Sequence, residues 1–213
     1  RVLFRSWEDE YQLIHLEMMG LATFNEKNIA YRRYIKSAIH MWLDAGVDAL
    51  RVDTLKHMPI WFWQEFTTAM KVHKPGLFMF GEYGFSKPWE QRSVEYANNI
   101  GMSILDFGLC DGIRFCFSGQ EPGGFHQVER VLGYDRVYHR ANELVTFIDN
   151  HDMPRFLSIV PDPRKLDLAL VLLLTLRGVP CLFYGTEQYL NNATNGGQDP
   201  YNRPMMEKWD TTS

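Results

Sequence analysis

The chain has 213 residues, 46% hydrophobic and 23% charged, the balance of a globular protein long enough for one full domain or a piece of a larger one. Its net charge of −4 argues against a polyanion partner such as nucleic acid. The odd cysteine count (Cys110, Cys116, Cys181), without CxxC spacing, excludes a fully paired intrachain framework and does not suggest zinc.

Residues 1–24 are irregular in pattern. From Asn25 apolar residues recur at three- and four-residue spacing (Tyr31, Tyr34, Ile35, Ala38, Ile39, Trp42, Leu43), which predicts a helix stopped by Gly46. "VDALRVD" reads as a short strand. Pro59 opens a second helix carrying Trp61, Phe62, Phe66 and Met70. "LFMFGE" is the next strand, and "MSILDFG" (102–108) another, after a polar connection. Residues 111–132 read as helical or mixed, and "LVTFIDNHD" (144–152) as a strand. "DPRKLDLALVLLLTLRG" has an Asp-Pro start, a leucine face and a Gly stop, so it is a helix. "VPCLFYGTE" (179–187) is the last strand, with Cys181 read as a buried small hydrophobe. The longest apolar stretch, 168–176, is too short to span a bilayer. The first residue is Arg1, so the lack of a visible leader says little about compartment.

Short apolar strands alternating with helices point to an α/β fold with a parallel sheet covered on both faces. The connections at 83–101 and 188–213 are long for such a fold, where long loops are usually functional.

Three of the strands end in a carboxylate: Asp53, Glu82 and Asp152. The carboxyl ends of parallel strands form the rim where sites are built. Acids gathered there raise one another's pKa, so one can stay protonated as an acid while another stays ionised as a nucleophile. Glycoside cleavage needs such a pair. Arg51, two residues before Asp53, shares its side of the strand and could hold it ionised. Each piece alone has a plainer reading: a surface ion pair for R-x-D, a capping aspartate for N-H-D. The ordered set on successive strands carries the functional reading. The aromatic share of 14%, with six Trp and ten Tyr, suits a large core or a carbohydrate-facing surface.

"GVDALRVDTLKHM", "FGEYG" and "FIDNHD" resemble three signature regions of the α-amylase family of glycoside hydrolases, and "GVPCLFYGTEQYL" with "DPYNR" resembles its eighth strand and following loop. The subgroup it resembles holds cyclodextrin glucanotransferases and related bacterial α-amylases. The resemblance implies the C-terminal part, strands four to eight, of a (β/α)8 TIM barrel in residues 25–213. Residues 1–24 would be the end of the inserted domain that follows the third strand. It also implies that Asp53 is the nucleophile of a retaining reaction, Glu82 the general acid/base, and Asp152 the third carboxylate. Arg51 would orient the nucleophile and His151 would bond the sugar at the cleavage subsite. Lys56 and His57 would line the leaving-group side, and Asp199 and Arg203 would contact outer glucose units. Plainer readings stay open: a solvated charge for Lys56, a loop ion pair for Asp199 and Arg203. Tyr83 and Trp89 either stack on sugar or pack under the loop.

Where transferases of this subgroup carry phenylalanines that hold an acceptor sugar, this chain reads Gly84 and, approximately, Leu109, with Phe85 one residue after Gly84 as a substitute. That leans toward hydrolysis of α-1,4-glucans in starch, with a cyclodextrin glucanotransferase or other transglycosylase as the alternative. The family's structural calcium site usually takes an aspartate where Thr23 stands, so calcium is in doubt, although the backbone carbonyl of His57 could still be a ligand. By the same resemblance an N-terminal half-barrel and a C-terminal domain belong to a longer, secreted protein, without which this segment would be inactive. The expected partner is the α-glucan, with no nucleic acid and no membrane. Rival functions are a non-catalytic barrel of the same ancestry and a metal-dependent hydrolase using His57 and His151. Retention of all three acids argues against the first, and the lack of a compact ligand motif against the second.

Overall fold

The computed structural model describes residues 4–7, 9–17, 20–119 and 124–206. Backbone contacts divide the chain into two units. Arg1–Gly84 and Gln91–Ile104 form the first, Phe85–Glu90 and Leu105–Ser213 the second.

In the first unit a short helix, α1 (Glu10–His15), lies where the sequence reads as irregular. Six residues are too few for a periodic apolar signal, but its cap is legible: the Asp9 carboxylate accepts from the Gln12 amide at 3.1 Å. Helix α2 (Ile29–Asp44) is capped by Asn28, whose side chain accepts from the amides of Ala30 and Tyr31. Gly46, at φ +106°, takes the left-handed turn that ends it. Of its apolar stripe Leu43 is buried, whereas Tyr34 and Trp42 are exposed.

Strand β1 (Ala49–Val52) then leads through a 3₁₀ turn at Leu55–His57 into α3 (Ile60–His73). Pro59 sits one residue before the first helical position, at the N-cap. Strand β2 (Phe78–Gly81) follows, then α4 (Gln91–Asn99) and β3 (Ser103–Ile104). The three strands form a parallel sheet in the order β1-β2-β3, with Val52 opposite Gly81. Helix α3 buries Phe62, Trp63, Phe66 and Met70.

In the second unit, α5 (Phe107–Ser118) begins earlier than the sequence suggests. The Asp106 carboxylate caps it by accepting from the Leu109 amide at 2.8 Å, so "MSILDFG" is a two-residue strand running into a helix. Helix α6 (His126–Gly133), strand β4 (Val145–Thr146) and the short α7 (Phe156–Ile159) follow. Helix α8 (Pro163–Thr175) has the expected Asp162 cap and first-turn proline. Strand β5 (Val179–Pro180) pairs parallel with β4, and Leu105 bridges to Val145.

The core here joins Leu109 and Ile113 of α5, Val128 and Val131 of α6, Phe156 of α7, and Leu166, Ala169 and Leu173 of α8. The last three share one face of α8, while Leu168, Val171 and Leu174 on its other side are exposed.

Two expectations are corrected in this unit. "LVTFIDNHD" and "VPCLFYGTE" are strands only over two residues each. Cys181 is exposed, not buried, because β5 has a described neighbour on one side alone.

Candidate active site

The first unit assembles Arg51, Asp53 and Glu82. The pairing that puts Val52 opposite Gly81 makes Asp53 and Glu82 the next residues out of two adjacent strands. Two backbone bonds fix that exit: the Glu82 amide donates to the Val52 carbonyl, and the Leu55 amide donates to the Glu82 carbonyl, both at 2.8 Å. Between them Thr54 adopts φ +48°, a left-handed conformation uncommon for a β-branched residue, which turns the chain sharply after Asp53.

Arg51 forks across both acids. Its Nη1 donates to Asp53 Oδ1, and its Nη2 donates to Glu82 Oε2 at 3.2 Å. The Asp53 side chain is 66% exposed and that of Glu82 15%. One planar guanidinium thus sets the orientation of two carboxylates from neighbouring strands, a geometry an ammonium cannot reproduce.

Lys56 and His57 lie on the 3₁₀ turn that follows. Lys56 Nζ donates to the Gly84 carbonyl at 3.3 Å and sits over the rings of Trp7 (4.9 Å) and Tyr83 (5.8 Å). Its charge is therefore held among aromatics. Tyr83 is buried, with its ring 5.1 Å from that of Tyr96. His57 Nδ1 contacts the Leu13 carbonyl at 2.9 Å. A carbonyl only accepts, so this nitrogen carries the proton and Nε2 is the lone-pair nitrogen of the neutral ring. Burial lowers the His57 pKa, and the nearby Lys56 charge adds to this, against the raising effects of the Leu13 bond and Asp53.

The second unit assembles His151, Asp152, Asp199 and Arg203. The Asp152 amide donates to Asn150 Oδ1 at 2.8 Å, a local turn that presents its carboxylate. His151 Nε2 lies 3.2 Å from Asp152 Oδ2. Arg203 reaches Asp152 Oδ1 at 3.3 Å, the His151 carbonyl at 2.9 Å and Asp199 Oδ1 at 3.1 Å. Asp199 and Arg203 thus form the loop ion pair that the sequence left open, and Arg203 also engages the loop of Asp152. Trp89 packs between Tyr134, with ring centroids 5.9 Å apart, and Arg130, whose guanidinium lies 4.1 Å from its ring.

Behind this loop lie residues that sequence reasoning missed. Asp149 is buried and accepts from the Phe156 amide (3.0 Å) and the Thr186 hydroxyl (3.0 Å). Burial raises its pKa in spite of those bonds. Arg114 of α5 donates to the carbonyls of Ile148 (2.8 Å) and Pro154 (3.1 Å). Arg155 and Asn202, both buried, hold further carbonyls of the same region.

The calcium expectation meets a poor donor set. The Thr23 hydroxyl donates to the Leu16 carbonyl at 3.0 Å. Among the described residues no group of three or more His, Cys, Asp and Glu side chains gathers as a metal cage. A hydroxyl is a weaker ligand than a carboxylate for a hard cation.

The α-amylase catalytic-domain family model matches residues 3–212. The chain belongs to the α-amylase family. A cyclomaltodextrin glucanotransferase of Niallia circulans is 40% identical over 194 residues, 91% of this chain and 26% of that protein. Among solved structures, a cyclomaltodextrin glucanotransferase with a three-domain ABC distribution superposes with TM-score 0.94 at 39% identity, covering 99% of this chain and 43% of its own. An α-amylase from Geobacillus thermoleovorans, complexed with acarbose, superposes with TM-score 0.84 at 28% identity, covering 97% and 46%. The chain therefore has the fold of part of an amylase-family catalytic domain and spans about a quarter to under half of the relatives it matches. No helix among the described residues is long and apolar enough to cross a membrane.

Proposed function

We propose that this chain carries the reacting groups of a retaining α-glucan transferase of the cyclodextrin glucanotransferase type. The observation that carries the reading is the fork of Arg51 across Asp53 and Glu82. The preference for transfer over hydrolysis is supported by the relatives, 35–40% identical for glucanotransferases against 28% for the α-amylase. It reverses the leaning drawn from Gly84 and Leu109. Leu109 is fully buried in the core of its unit and offers no surface to a sugar, so its identity has no bearing on acceptor choice. Phe85 is 72% exposed and offers an aromatic face.

In this reading the five strands are the fourth to eighth of the barrel, and residues 1–24 close the inserted domain. Asp53 attacks the anomeric carbon as the glycosidic C–O bond breaks, and Glu82 gives its proton to the departing oxygen. The covalent glycosyl-aspartate is then released by a sugar hydroxyl, whose proton returns to Glu82. Arg51 keeps Asp53 ionised and aligned. Neutral His57 and the Lys56 ammonium meet the departing sugar, and Tyr83 supports Lys56 from below. Asp152 and His151 hold hydroxyls of the sugar being cleaved, while Asp199 and Arg203 extend that surface outward. In the same reading the protein is secreted.

Hydrolysis is the second reading, favoured by Gly84, which gives an acceptor no side chain beside Glu82. The test is to incubate the full-length protein with starch and separate the products. Cyclic glucans that disappear in Glu82→Gln support transfer. Linear maltooligosaccharides alone indicate hydrolysis, and an inactive wild-type protein rejects both.

A further inference from the structure

We propose that Asn202 and Arg155 are positioning residues that set where His151 and Asp152 stand; the catalytic meaning of this rests on the proposed role of that pair. The side chain of Asn202 donates through one amide nitrogen to two carbonyls, His151 at 2.6 Å and Met153 at 3.2 Å. Those carbonyls flank Asp152. Asn202 is itself held from behind. Arg155 Nε donates to its backbone carbonyl at 2.9 Å, and Arg155 Nη1 donates to the Tyr184 carbonyl at 2.8 Å. The same guanidinium lies 4.3 Å from the Phe183 ring and 4.7 Å from the Tyr184 ring. One side chain therefore ties the segment after β5 and the loop at Asn202 to the loop that carries Asp152.

This arrangement is a poor way to fill a core. Arg155 is 0% exposed and Asn202 1%. Arg155 Nη2 and Asn202 Oδ1 are buried with no protein partner. A buried guanidinium on neutral carbonyls is expensive in desolvation, and apolar residues of similar volume usually stabilise a core as well or better. What the cluster provides is direction. A planar amide with two N–H groups is the small side chain that can reach two carbonyls two residues apart; aspartate has no donor, and serine has one. Arg203, the next residue, adds a second donor to the His151 carbonyl, at 2.9 Å. The order is thus Arg155 holding Asn202, and Asn202 and Arg203 holding the turn that presents Asp152.

The test uses the full-length protein with Asn202→Asp, which keeps the shape and removes both donors, and Arg155→Met as a second variant that adds no buried charge. Thr67→Val is the control. It breaks a buried bond to the Ile100 carbonyl in the other unit without touching the carbonyls of His151 and Met153. Crystal structures of the two variants are expected to show His151 and Asp152 displaced by on the order of 1 Å, with kcat on starch reduced about 100-fold and KM little changed. Thr67→Val is expected to lower the melting temperature and leave kcat within about two-fold of wild type. Variants that fold with His151 and Asp152 in place, or that lose activity only as the folded fraction falls, overturn the proposal. If the wild-type protein proves inactive on glucans the functional reading fails, and the displacement alone still decides whether Asn202 and Arg155 position this loop.

Discussion

Leu55 lies directly against Gly81: a Cβ at position 81 would meet three carbons of its side chain at 2.6 Å. Leu55 is fully buried, and its amide is bonded to the carbonyl of Glu82. The turn after Asp53 and the strand before Glu82 therefore meet at a point where only glycine fits. Gly81→Ala is expected to destabilise the full-length protein by about 1–3 kcal/mol through overpacking. It should also lower kcat, because Leu55 cannot yield without moving the backbone that aims both acids. Thermal unfolding and initial rates on starch check this, and unchanged stability would contradict the close packing.

Arg51→Lys should be far from conservative. A lysine ammonium can approach Asp53 or Glu82 but cannot present two parallel donors to both. We expect kcat/KM to fall by about two orders of magnitude with little change in melting temperature, since Asp53 is largely exposed and the contact adds little to stability. Full activity in the lysine variant would show that the fork across the two acids is not needed.

Why the acids were legible and their support was not follows from what each leaves in the sequence. Asp53 and Glu82 are read from position, as the first residues past two apolar runs, and the structure pairs those runs in the register that brings them side by side. Asn202, Arg155 and Arg114 bond to backbone carbonyls. A carbonyl is present at every residue, so no residue type marks the partner. The strands around residues 144–152 and 179–187 are shorter than their sequence suggests for a related reason. Their apolar composition reports burial, whereas strand bounds follow residue pairing across the sheet, which ends at Thr146 and Pro180. Helix α4 was hidden because its polar stretch buries only Ser93, Tyr96 and Ala97. The early start of α5 was marked by Asp106, a capping residue just ahead of the helix.

His57 should titrate below the ordinary histidine value. Its folded pKa is lowered, chiefly by burial, so the folded state resists a proton that the unfolded state accepts. Its contribution to stability is therefore complete above the unfolded value of 6.5 and is lost as the pH falls below it. An NMR titration of the His57 ring in the full-length protein is expected to give a midpoint under 6.5. A midpoint at or above that value would contradict the neutral ring assigned here.

Acceptor choice should depend on Phe85. Its ring is exposed and leans on Phe107, with centroids 5.6 Å apart. Phe85→Ala is expected to raise the ratio of hydrolysis to transfer several-fold, since stacking one aromatic on a sugar face is worth on the order of 1 kcal/mol. An unchanged ratio would remove Phe85 from the acceptor side.

The proposed mechanism depends most directly on Asp53 as the nucleophile. The full-length Glu82→Gln variant, given an α-maltosyl fluoride whose leaving group needs no acid, should form the covalent sugar ester and lack the base to release it. Mass spectrometry of the digested protein is expected to find the peptide bearing Asp53 heavier by one maltosyl group. An unmodified Asp53 peptide, with the fluoride consumed and the product of inverted configuration, would contradict a nucleophilic Asp53.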